Sequence, residues 1–410
     1  MNAFPVAQEI KVGLDFGKGS IPVGRLAIRE RRIYFAYESA FIEQGLEISP
    51  FMLPLKAGVT NFDKSLFEGL PGVFNDSLPD GWGKLLFDRL VQSQGVLPLQ
   101  LSPLDRLSYV GAYGMGALVY EPATPNEVED RTISLDTIAQ QTQEVLKGTS
   151  QEVLQKLLAL HGSSAGARPK ALVCVSENRE QIMHGSHKLE KGFEPWLVKF
   201  PNSLDGPDAG SIEYVYALMA KDAGIEMPLF HLFPSGEGPG YFAAKRFDRD
   251  GNKRLHMHTA CGLLHVDFRS QSLDYKDLIN LTFLLTRDIR EAEKMFRLAV
   301  FNVLAHNRDD HTKNFSFLMD AQGQWKLSPA YDLTFSSGPG GEQSTMVMGE
   351  GRNPGVEHLI KLGLEAKIAE PRIAEIIDQT RSAIGAWSKL AKQYGVRHDK
   401  ALLIAKRICP

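Results

Sequence analysis

Residues 306–334, HNRDDHTKNFSFLMDAQGQWKLSPAYDLT, are the most informative segment of this chain. Two strand-like runs, FSFLM and WKLSPAY, flank the sequence DAQGQ, whose Asp and Gly suit a turn. We therefore predict a β-hairpin from about residue 315 to about residue 331. The two open ends of a hairpin lie about one strand spacing apart. Asn314, before the first strand, and Asp332, after the second, are therefore expected to meet.

Asp309 stands five positions before Asn314, which gives the pattern D-x-x-x-x-N. This is the spacing of a kinase catalytic loop, in which the Asp accepts the proton of the substrate hydroxyl and the Asn binds magnesium. Asp332 is predicted to supply a second ligand, because one carboxylate and one amide oxygen suffice for Mg²⁺ when waters complete its shell. Lys313 lies in the same loop and is predicted to neutralise the transferring phosphoryl group.

Each of these polar residues, taken alone, also suits a helix cap or a turn. Their joint placement around one hairpin favours the catalytic interpretation. His306 and His311 flank the loop, but they do not form H-E-x-x-H, so a metal hydrolase is disfavoured. A satisfied or supporting histidine is expected here, and we include His311 in the predicted nucleotide-binding set.

A kinase also needs an upstream lysine that holds the α- and β-phosphates of ATP. Lys199 in the predicted strand WLVKF fits this role. Strand alternation places Lys199 and Leu197 on one face and the neighbouring Trp and Val on the other. The helix that follows carries Glu213 in its predicted first turn. Glu213 either pairs with Lys199, as in kinases, or is there because helix N-termini favour acidic residues.

A run of small residues, HGSSAGARPK at 161–170, precedes the predicted strand ALVCV. Small residues let backbone N–H groups approach phosphate oxygens, so we predict that this loop covers the nucleotide phosphates. It matches neither the Walker A pattern nor G-x-G-x-x-G. The predicted nucleotide-binding residues in and beside the loop are Ser163, Ser164, Ala165, Gly166, Ala167 and Lys170.

Two other motifs are set aside. The D-F-G at Asp15–Gly17 precedes every other element and is in the wrong order to supply the metal-binding Asp. The glycines of VGAYGMG, at 110–116, lead into a short strand with no helix behind it, so a tight turn explains them.

The order of predicted elements indicates an α+β chain in three parts. Residues 1–130 form a β-rich domain, because the segment 23–42 alternates polar and apolar residues around a charged turn. Residues 131–250 form a small sheet with one helix, and residues 251–410 are helical apart from one hairpin. The second and third parts have the order of a bilobal protein-kinase-like fold, with nucleotide between a sheet lobe and a mostly helical lobe.

Composition is that of an ordinary globular protein. The 410 residues are 43% hydrophobic and 23% charged, with a net charge of −3, so no overall basic field indicates nucleic-acid binding. The three cysteines are widely spaced, which argues against a disulfide framework and a thiolate zinc site. With no signal peptide or apolar span apparent, a cytoplasmic protein without membrane contact is expected.

Several segments together resemble the HipA family of bacterial serine/threonine kinases, the toxins of HipBA-type toxin–antitoxin systems. The resemblance covers nearly the whole chain. It implies an ATP- and Mg²⁺-dependent kinase with a protein substrate, for which the family precedent is an aminoacyl-tRNA synthetase. It also implies a HipB-like helix-turn-helix antitoxin, and contact with operator DNA through that complex. The segments are NDSLPDGWGKLLFDR, SSAGARPKA, WLVKFP, SIEYVYALMAKDAGI, AAKRFDR, NRDDHTKNFSF and LSPAYDL.

The resemblance also implies residue roles. Asp309 would be the base, Asn314 and Asp332 the metal ligands, and Lys199 a phosphate ligand. The Lys245–Phe247 backbone would line the adenine pocket, with both Lys245 and Phe247 in the nucleotide set, and Asp248 would reach the ribose. Ser163 would be autophosphorylated to switch the enzyme off, although Ser164 leaves that position open. Arg168-Pro169 and Asp310 depart from the best-known members, and Asp310 is expected to make the loop more acidic.

Two other functions stay open. A small-molecule kinase of the aminoglycoside type shares the Asp/Asn/Asp arrangement, although the β-rich first part disfavours it. A non-catalytic binding or repressor subunit is favoured by residues 381–410, which carry seven basic residues against one acid. That basic segment is either a solvated helix face or a docking patch for an acidic partner or DNA.

Overall fold

The structure is a computed structural model that describes residues 7–123, 132–148, 157, 166, 168–184, 189–202, 205–271 and 273–408. Four predicted nucleotide-loop residues, Ser163, Ser164, Ala165 and Ala167, lie outside the described residues.

The described chain contains fifteen strands and thirteen α-helices, numbered here in chain order. The strands are β1 Glu9–Asp15, β2 Ser20–Arg29, β3 Arg32–Tyr37, β4 Val59–Asn61, β5 Leu118–Glu121, β6 Lys170–Ser176, β7 Ile182–His184, β8 Phe193–Lys199, β9 Phe230–Phe233, β10 Tyr241–Lys245, β11 Arg249–Asp250, β12 Lys253–Arg254, β13 His256–Thr259, β14 Ser316–Met319 and β15 Trp325–Leu327. The helices are α1 Ser39–Gln44, α2 Gly72–Asn75, α3 Gly81–Ser93, α4 Pro103–Val110, α5 Leu135–Lys147, α6 Ala209–Asp222, α7 Ala260–Leu264, α8 Tyr275–Thr286, α9 Ile289–Leu304, α10 Val356–Glu365, α11 Glu370–Gly385, α12 Trp387–Gln393 and α13 His398–Ile408.

The first sheet has the order β4-β3-β2-β1-β5, and every neighbouring pair in it is antiparallel. Its β2–β3 pair is the hairpin that the alternating segment predicts. Glu30 and Arg31 form the charged turn, and both have positive φ angles, 49° and 59°. Two consecutive residues with positive φ suit the right-handed twist of a tight hairpin. The β-rich start of the chain is therefore confirmed.

The second sheet has the order β7-β6-β8-β10-β9. Helix α6 packs against β9 and β10, and α3 and α5 contribute residues to the hydrophobic core of this sheet. Alternation along β8 follows the prediction. Trp196 and Val198 are buried in the core beneath the sheet, whereas Leu197 and Lys199 are only partly covered. Lys199 therefore reaches the opposite face, toward α6.

The third sheet, β13-β14-β15, contains the predicted hairpin and one strand that the sequence analysis missed. β13 pairs with β14 through the register His256↔Met319 to Thr259↔Ser316. The short β11–β12 hairpin directly precedes β13 in the chain. The prediction of a single hairpin after residue 250 is therefore wrong. Strands of two to four residues carry too little periodicity to be distinguished from loops.

Three hydrophobic cores underlie the sheets, one for each predicted part. The hydrophobic cores cross the first predicted boundary, near residue 130. Trp82, Leu86 and Phe87 of α3 precede this boundary but pack in the core of the second sheet. Likewise, Met319 of β14 packs in the core of the first sheet. The α+β prediction is confirmed, while the boundaries near 130 and 250 stay predictions.

A buried Ser–His–Asp arrangement joins the first sheet region to β13. His258 Nδ1 lies 2.6 Å from Asp76 Oδ2, and His258 Nε2 lies 3.0 Å from Ser49 Oγ. Asp76 also accepts hydrogen bonds from the Thr259 backbone N–H and hydroxyl, at 2.7 and 2.8 Å. Ser49 is only 2% exposed. A substrate has no access to this serine, so the arrangement is an interdomain tie and not a hydrolytic site.

The neighbouring His256 makes stability depend on pH. Its ring is fully buried, and Nε2 donates to the Ile48 carbonyl at 2.9 Å. Burial, reinforced by His258, lowers the pKa of His256 to about 3. The unfolded chain binds a proton at this histidine below about pH 6.5, and the folded protein does not. The associated stability is therefore fully present above about pH 6.5 and falls as the pH drops toward 3.

We expect His256→Gln, which can still donate to Ile48, to flatten this dependence. Between pH 6 and pH 5 the wild type should lose up to about 1.4 kcal/mol per pH unit more than the variant. Urea unfolding midpoints at pH 7, 6 and 5 measure the difference. The same substitution at exposed His398 is the control, and equal slopes for wild type and His256→Gln would contradict the assignment.

Within the basic segment, residues 381–408 form the end of α11 together with α12 and α13. Part of its charge is used internally. Lys400 Nζ lies 3.3 Å from Asp208 Oδ1 and donates to the Asp205 carbonyl, and the Arg397 N–H donates to Asp208 Oδ2 at 3.1 Å. These contacts hold the chain just before α6 and differ from both predicted roles. No helix within the described ranges is long and apolar enough to cross a bilayer.

Candidate active site

The predicted hairpin is present and brings its two ends together. β14 and β15 pair antiparallel from Phe317↔Leu327 to Met319↔Trp325. Tyr331 closes the open end, because its hydroxyl lies 2.5 Å from Ser316 Oγ and donates to the Lys313 carbonyl at 2.6 Å. Residues after the hairpin are thereby held against the loop that precedes it, as the sequence predicts.

Asp332 has a left-handed backbone conformation, with φ of 58°. Such a conformation is uncommon for residues with a side chain and is concentrated at functional sites. Its Oδ1 lies 2.6 Å from Lys199 Nζ, which joins the two lobes. The tertiary fold thus connects a lysine of the second sheet with the predicted metal ligand, 133 positions later in the chain.

Lys199 also donates to Glu213 Oε1, so the kinase-like pairing of these two residues is present. The alternative reading, a glutamate favoured by the helix dipole, loses its basis. α6 begins at Ala209, four residues before Glu213, which places Glu213 beyond the first turn. Glu213 is 3% exposed, and a buried carboxylate needs such a partner.

The cations around Asp332 set its charge. Burial alone would raise the pKa of Asp332, but Lys199, Lys170 and Arg168 outweigh it and hold that pKa well below its usual range. Burial lowers the pKa of Lys170 to about 8, against the opposing effect of Asp332. Asp332 is therefore ionised at neutral pH, as a magnesium ligand must be.

Asp309 has the opposite tendency. Although the residue is exposed, partial desolvation raises the pKa of Asp309, His311 opposes this rise, and Asp332 adds to it. A carboxylate whose pKa is raised toward neutrality is a better general base. The Asp309 carbonyl accepts a hydrogen bond from Asn314 Nδ2 at 2.8 Å. Because the side-chain nitrogen of Asn314 is hydrogen-bonded in this way, its side-chain oxygen remains able to bind a cation.

The neighbouring Asp310 has a structural role. It is 1% exposed and accepts hydrogen bonds from Tyr275 Oη at 2.6 Å and Gln343 Nε2 at 2.9 Å. The backbone N–H groups of Ser344 and Thr345 donate to its other oxygen, at 2.9 and 3.3 Å. The expectation that Asp310 makes the loop surface more acidic is therefore wrong, because the carboxylate points into the protein and braces the loop.

Lys313 is engaged across the molecule. Its Nζ lies 2.5 Å from Asp80 Oδ2, in the first part of the chain, and 4.8 Å from the centre of the Phe268 ring. Its predicted contact with a transferring phosphoryl group stays a prediction. Asp80 lies in one of the family-like segments, but no pattern in the sequence predicts its contact with Lys313.

Asp248 is enclosed by protein groups. It has no exposed surface, and its Oδ2 lies 2.7 Å from Arg246 and 2.6 Å from Arg249. Oδ2 also accepts from the Gly116 N–H at 2.7 Å. Asp248 thereby ties the VGAYGMG turn to the end of the second sheet, which also explains that glycine-rich motif. Its contact with the ribose stays a prediction.

The other predicted nucleotide residues lie at the join of the second and third sheets. Lys245 ends β10, with Nζ 2.5 Å from Glu194, and the Phe247 ring centre lies 5.5 Å from that of Tyr331. Phe247 therefore contacts Tyr331, the residue that immediately precedes Asp332 in the chain. His311 packs on Phe268 at 5.2 Å, and its buried Nδ1 has no hydrogen-bond partner in the described part of the chain. Their nucleotide contacts stay predictions.

The residues present fit magnesium better than a transition metal. Across the described residues, no group of three or more His, Cys, Asp and Glu side chains converges on one point. One ionised carboxylate and one amide oxygen, from Asp332 and Asn314, are hard ligands of the kind that magnesium accepts together with water.

Comparison with known families assigns the chain. Residues 17–121 match the HipA N-terminal domain, and residues 162–387 match the HipA-like C-terminal domain. The chain belongs to the HipA family. The match to the C-terminal domain includes Lys199, Asp309, Asn314 and Asp332, so this HipA-family chain carries its candidate site within the family's C-terminal domain.

Solved structures agree with this assignment at the level of the fold. The HipA protein in the Shewanella oneidensis MR-1 complex of HipA, HipB and operator DNA superposes with a TM-score of 0.69. The superposition covers 97% of this HipA-family chain and 95% of the other chain, at 17% identity. The predicted bilobal kinase-like fold, with a β-rich N-terminal part and a helical C-terminal lobe, is confirmed.

Two curated relatives come from Sinorhizobium fredii. The putative kinase Y4mE is 24% identical over 243 residues, which cover 54% of this chain and 56% of Y4mE. The putative kinase Y4dM is 30% identical over 153 residues, which cover 34% of this chain and 36% of Y4dM. The chain thus spans about half the length of the first of these relatives and about a third of the second.

Proposed function

We propose that this chain is an ATP- and Mg²⁺-dependent kinase that phosphorylates serine or threonine in a protein. The observation that carries the proposal is Lys199, whose ammonium bridges Glu213 and Asp332 beside the Asp309–Asn314 loop. In phosphoryl transfer a protein contributes mainly position and charge, and this set contains a phosphate-binding lysine, a base and two metal ligands.

Each residue has a definite task in this proposal. Asp309 accepts the proton of the attacking hydroxyl, and its raised pKa suits that transfer. Asn314 and Asp332 hold magnesium, which supplies positive charge to the phosphate oxygens when bound. Lys199 binds the nucleotide phosphates, and Glu213 keeps its ammonium in place. Lys245 and Phe247 line the adenine site.

The phosphate loop supplies the regulatory part of the proposal. Ser163, or Ser164 beside it, becomes phosphorylated by the chain itself. A phosphoserine in that loop adds negative charge where the loop must accept the phosphates of ATP, so the modified enzyme binds ATP poorly.

The family also supports a partner. A HipB protein and operator DNA are present with HipA in the Shewanella complex. We infer that this chain binds a HipB-like antitoxin with a helix-turn-helix domain, and contacts operator DNA through that complex. The protein substrate is proposed by family precedent to be an aminoacyl-tRNA synthetase.

Transfer of labelled phosphate tests the proposal. Purified chain should incorporate label from γ-labelled Mg-ATP at Ser163 or Ser164, and a bacterial lysate should contain at least one newly labelled protein. EDTA should prevent both reactions, because Asn314 and Asp332 act through magnesium. Mass spectrometry of the labelled peptides identifies the acceptor residues.

The alternatives predict other outcomes. Label in a sugar or amino alcohol, with none in protein, would establish a small-molecule kinase instead. ATP binding without any transfer, together with binding of operator DNA by the isolated chain, would establish a non-catalytic repressor subunit.

A further inference from the structure

The segment NDSLPDGWG, residues 75–83, lies in the first predicted part of the chain, yet both of its internal aspartates contact the kinase-like lobes. Asp76 is bound to β13, as described above. Asp80 contacts two active-site loops at once. Its Oδ1 accepts from the Gly166 backbone N–H at 2.5 Å, and its Oδ2 lies 2.5 Å from Lys313 Nζ. One carboxylate from the first part therefore links the phosphate loop to the catalytic loop.

The position of Asp80 in its own helix makes these contacts unexpected. Asp80 is the N-cap residue of α3, where an aspartate normally accepts a hydrogen bond from the first turn. Its side chain makes no such bond. Instead, the Trp82 N–H at the helix N-terminus donates to the Gly166 carbonyl at 3.1 Å. Gly166 thus caps α3 in place of Asp80, and the Asp80 carboxylate is released for the active site.

Both ends of the Asp80 link are held firmly. Burial alone would raise the pKa of Asp80, but Lys313, the Gly166 N–H and Lys170 together lower it. The Lys313 carbonyl accepts a hydrogen bond from Tyr331 Oη at 2.6 Å. Tyr331 immediately precedes Asp332 in the chain. Gly166 has φ of 111°, a backbone conformation that residues with a side chain rarely adopt, so glycine is favoured at this position.

We propose that Asp80 is a positioning residue for phosphoryl transfer, which holds Gly166 of the predicted phosphate loop and Lys313 in register. The inference rests on the proposed kinase function. It assigns the β-rich first part a role in completing the active site. Asp80 touches neither nucleotide nor acceptor in this role and acts through Gly166 and Lys313.

The test compares two identical substitutions in the same helix. Asp80→Asn keeps an oxygen for the Gly166 N–H and removes the charge that holds Lys313. Asp88→Asn is the matched control, since Asp88 also forms a 2.5 Å ion pair, with Lys84, and both aspartate side chains are 21% exposed. Asp80→Asn should reduce kcat about 10- to 100-fold, the effect expected when reacting groups are displaced slightly. Asp88→Asn should retain wild-type kcat and unfolding midpoint.

A double-mutant cycle separates positioning from general stability. The kcat of the double variant Asp80→Asn/Lys313→Met should be only slightly lower than that of Lys313→Met alone. Each substitution removes the same interaction, the ion pair between Asp80 and Lys313. Additive losses, or wild-type kcat in Asp80→Asn, would overturn the inference.

Hydrogen exchange tests the same link without reference to catalysis. Exchange of the Gly166 and Trp82 amides should be faster in Asp80→Asn than in wild type or Asp88→Asn, and unchanged exchange would also count against the link. If wild-type protein transfers no phosphate, the proposed function fails, and exchange alone decides whether Asp80 links the loops.

Discussion

Asp309→Asn should slow phosphoryl transfer by about 10²–10⁴-fold, the usual contribution of a general base. The amide has nearly the same shape but cannot accept the hydroxyl proton. The Asp309 backbone carbonyl, which holds Asn314, is unchanged by the substitution. Affinity for Mg-ATP should therefore stay close to that of wild type. Initial rates of label incorporation and equilibrium nucleotide binding measure the two effects separately.

The control is Asp250→Asn, which makes the same change at the β11–β12 hairpin, where the side chain is 82% exposed. This variant should be fully active. A fully active Asp309→Asn protein would exclude Asp309 as the base. Loss of nucleotide binding in Asp309→Asn would indicate a role in binding instead.

Asp310→Ala should destabilise the helical lobe by about 3 kcal/mol, the order of loss when a buried charged acceptor is removed from several donors. The hydroxyl of Tyr275, the amide of Gln343 and two backbone N–H groups would lose their acceptor. Urea unfolding measures the change. Asp378→Ala, on the exposed face of α11, is the control and should alter stability by less than about 0.5 kcal/mol.

The destabilisation should also grow as the pH falls. Burial raises the pKa of Asp310 to about 6, so the folded protein binds a proton there at pH values where the unfolded chain does not. The pH-dependent part of the Asp310 contribution is thus fully present below about pH 4 and is lost as the pH rises through 6. The contribution from the hydrogen bonds to the ionised carboxylate remains above that pH. Between pH 7 and pH 5 the difference between wild type and Asp310→Ala should increase by about 1 kcal/mol. A difference that shrinks at low pH would contradict this environment.

Much of the candidate site was predictable because it depends on local patterns. The hairpin follows from two short strands around an Asp/Gly turn, and its geometry brings the flanking segments together. Alternation along β8 predicts which face carries Lys199. The family-like segments then predict which lysine, aspartates and asparagine form one site. In the structure, Lys199 contacts Asp332, and Asn314 contacts the Asp309 carbonyl, while their grouping in one site stays a proposal.

Three features were not predictable in this way. Asp248 lies in a family-like segment, but only the fold encloses it between Arg246, Arg249 and the Gly116 N–H. Strand β13 is too short to be distinguished by periodicity. The role of Asp80 depends on Gly166 and Lys313, which are 86 and 233 positions away along the chain.

The adjacent residues Asp309 and Asp310 illustrate what the sequence determines and what only the tertiary structure determines. By itself the sequence determined the α+β class, the hairpin and the chemical groups of the site, because periodicity and spacing act over a few residues. Only the tertiary structure decided that Asp309 is exposed to solvent while Asp310 braces the loop from within. It also decided that Asp80, in the first part of the chain, contacts Lys313 in the same loop. Burial and partner choice depend on segments that are distant in sequence, and no local pattern records them.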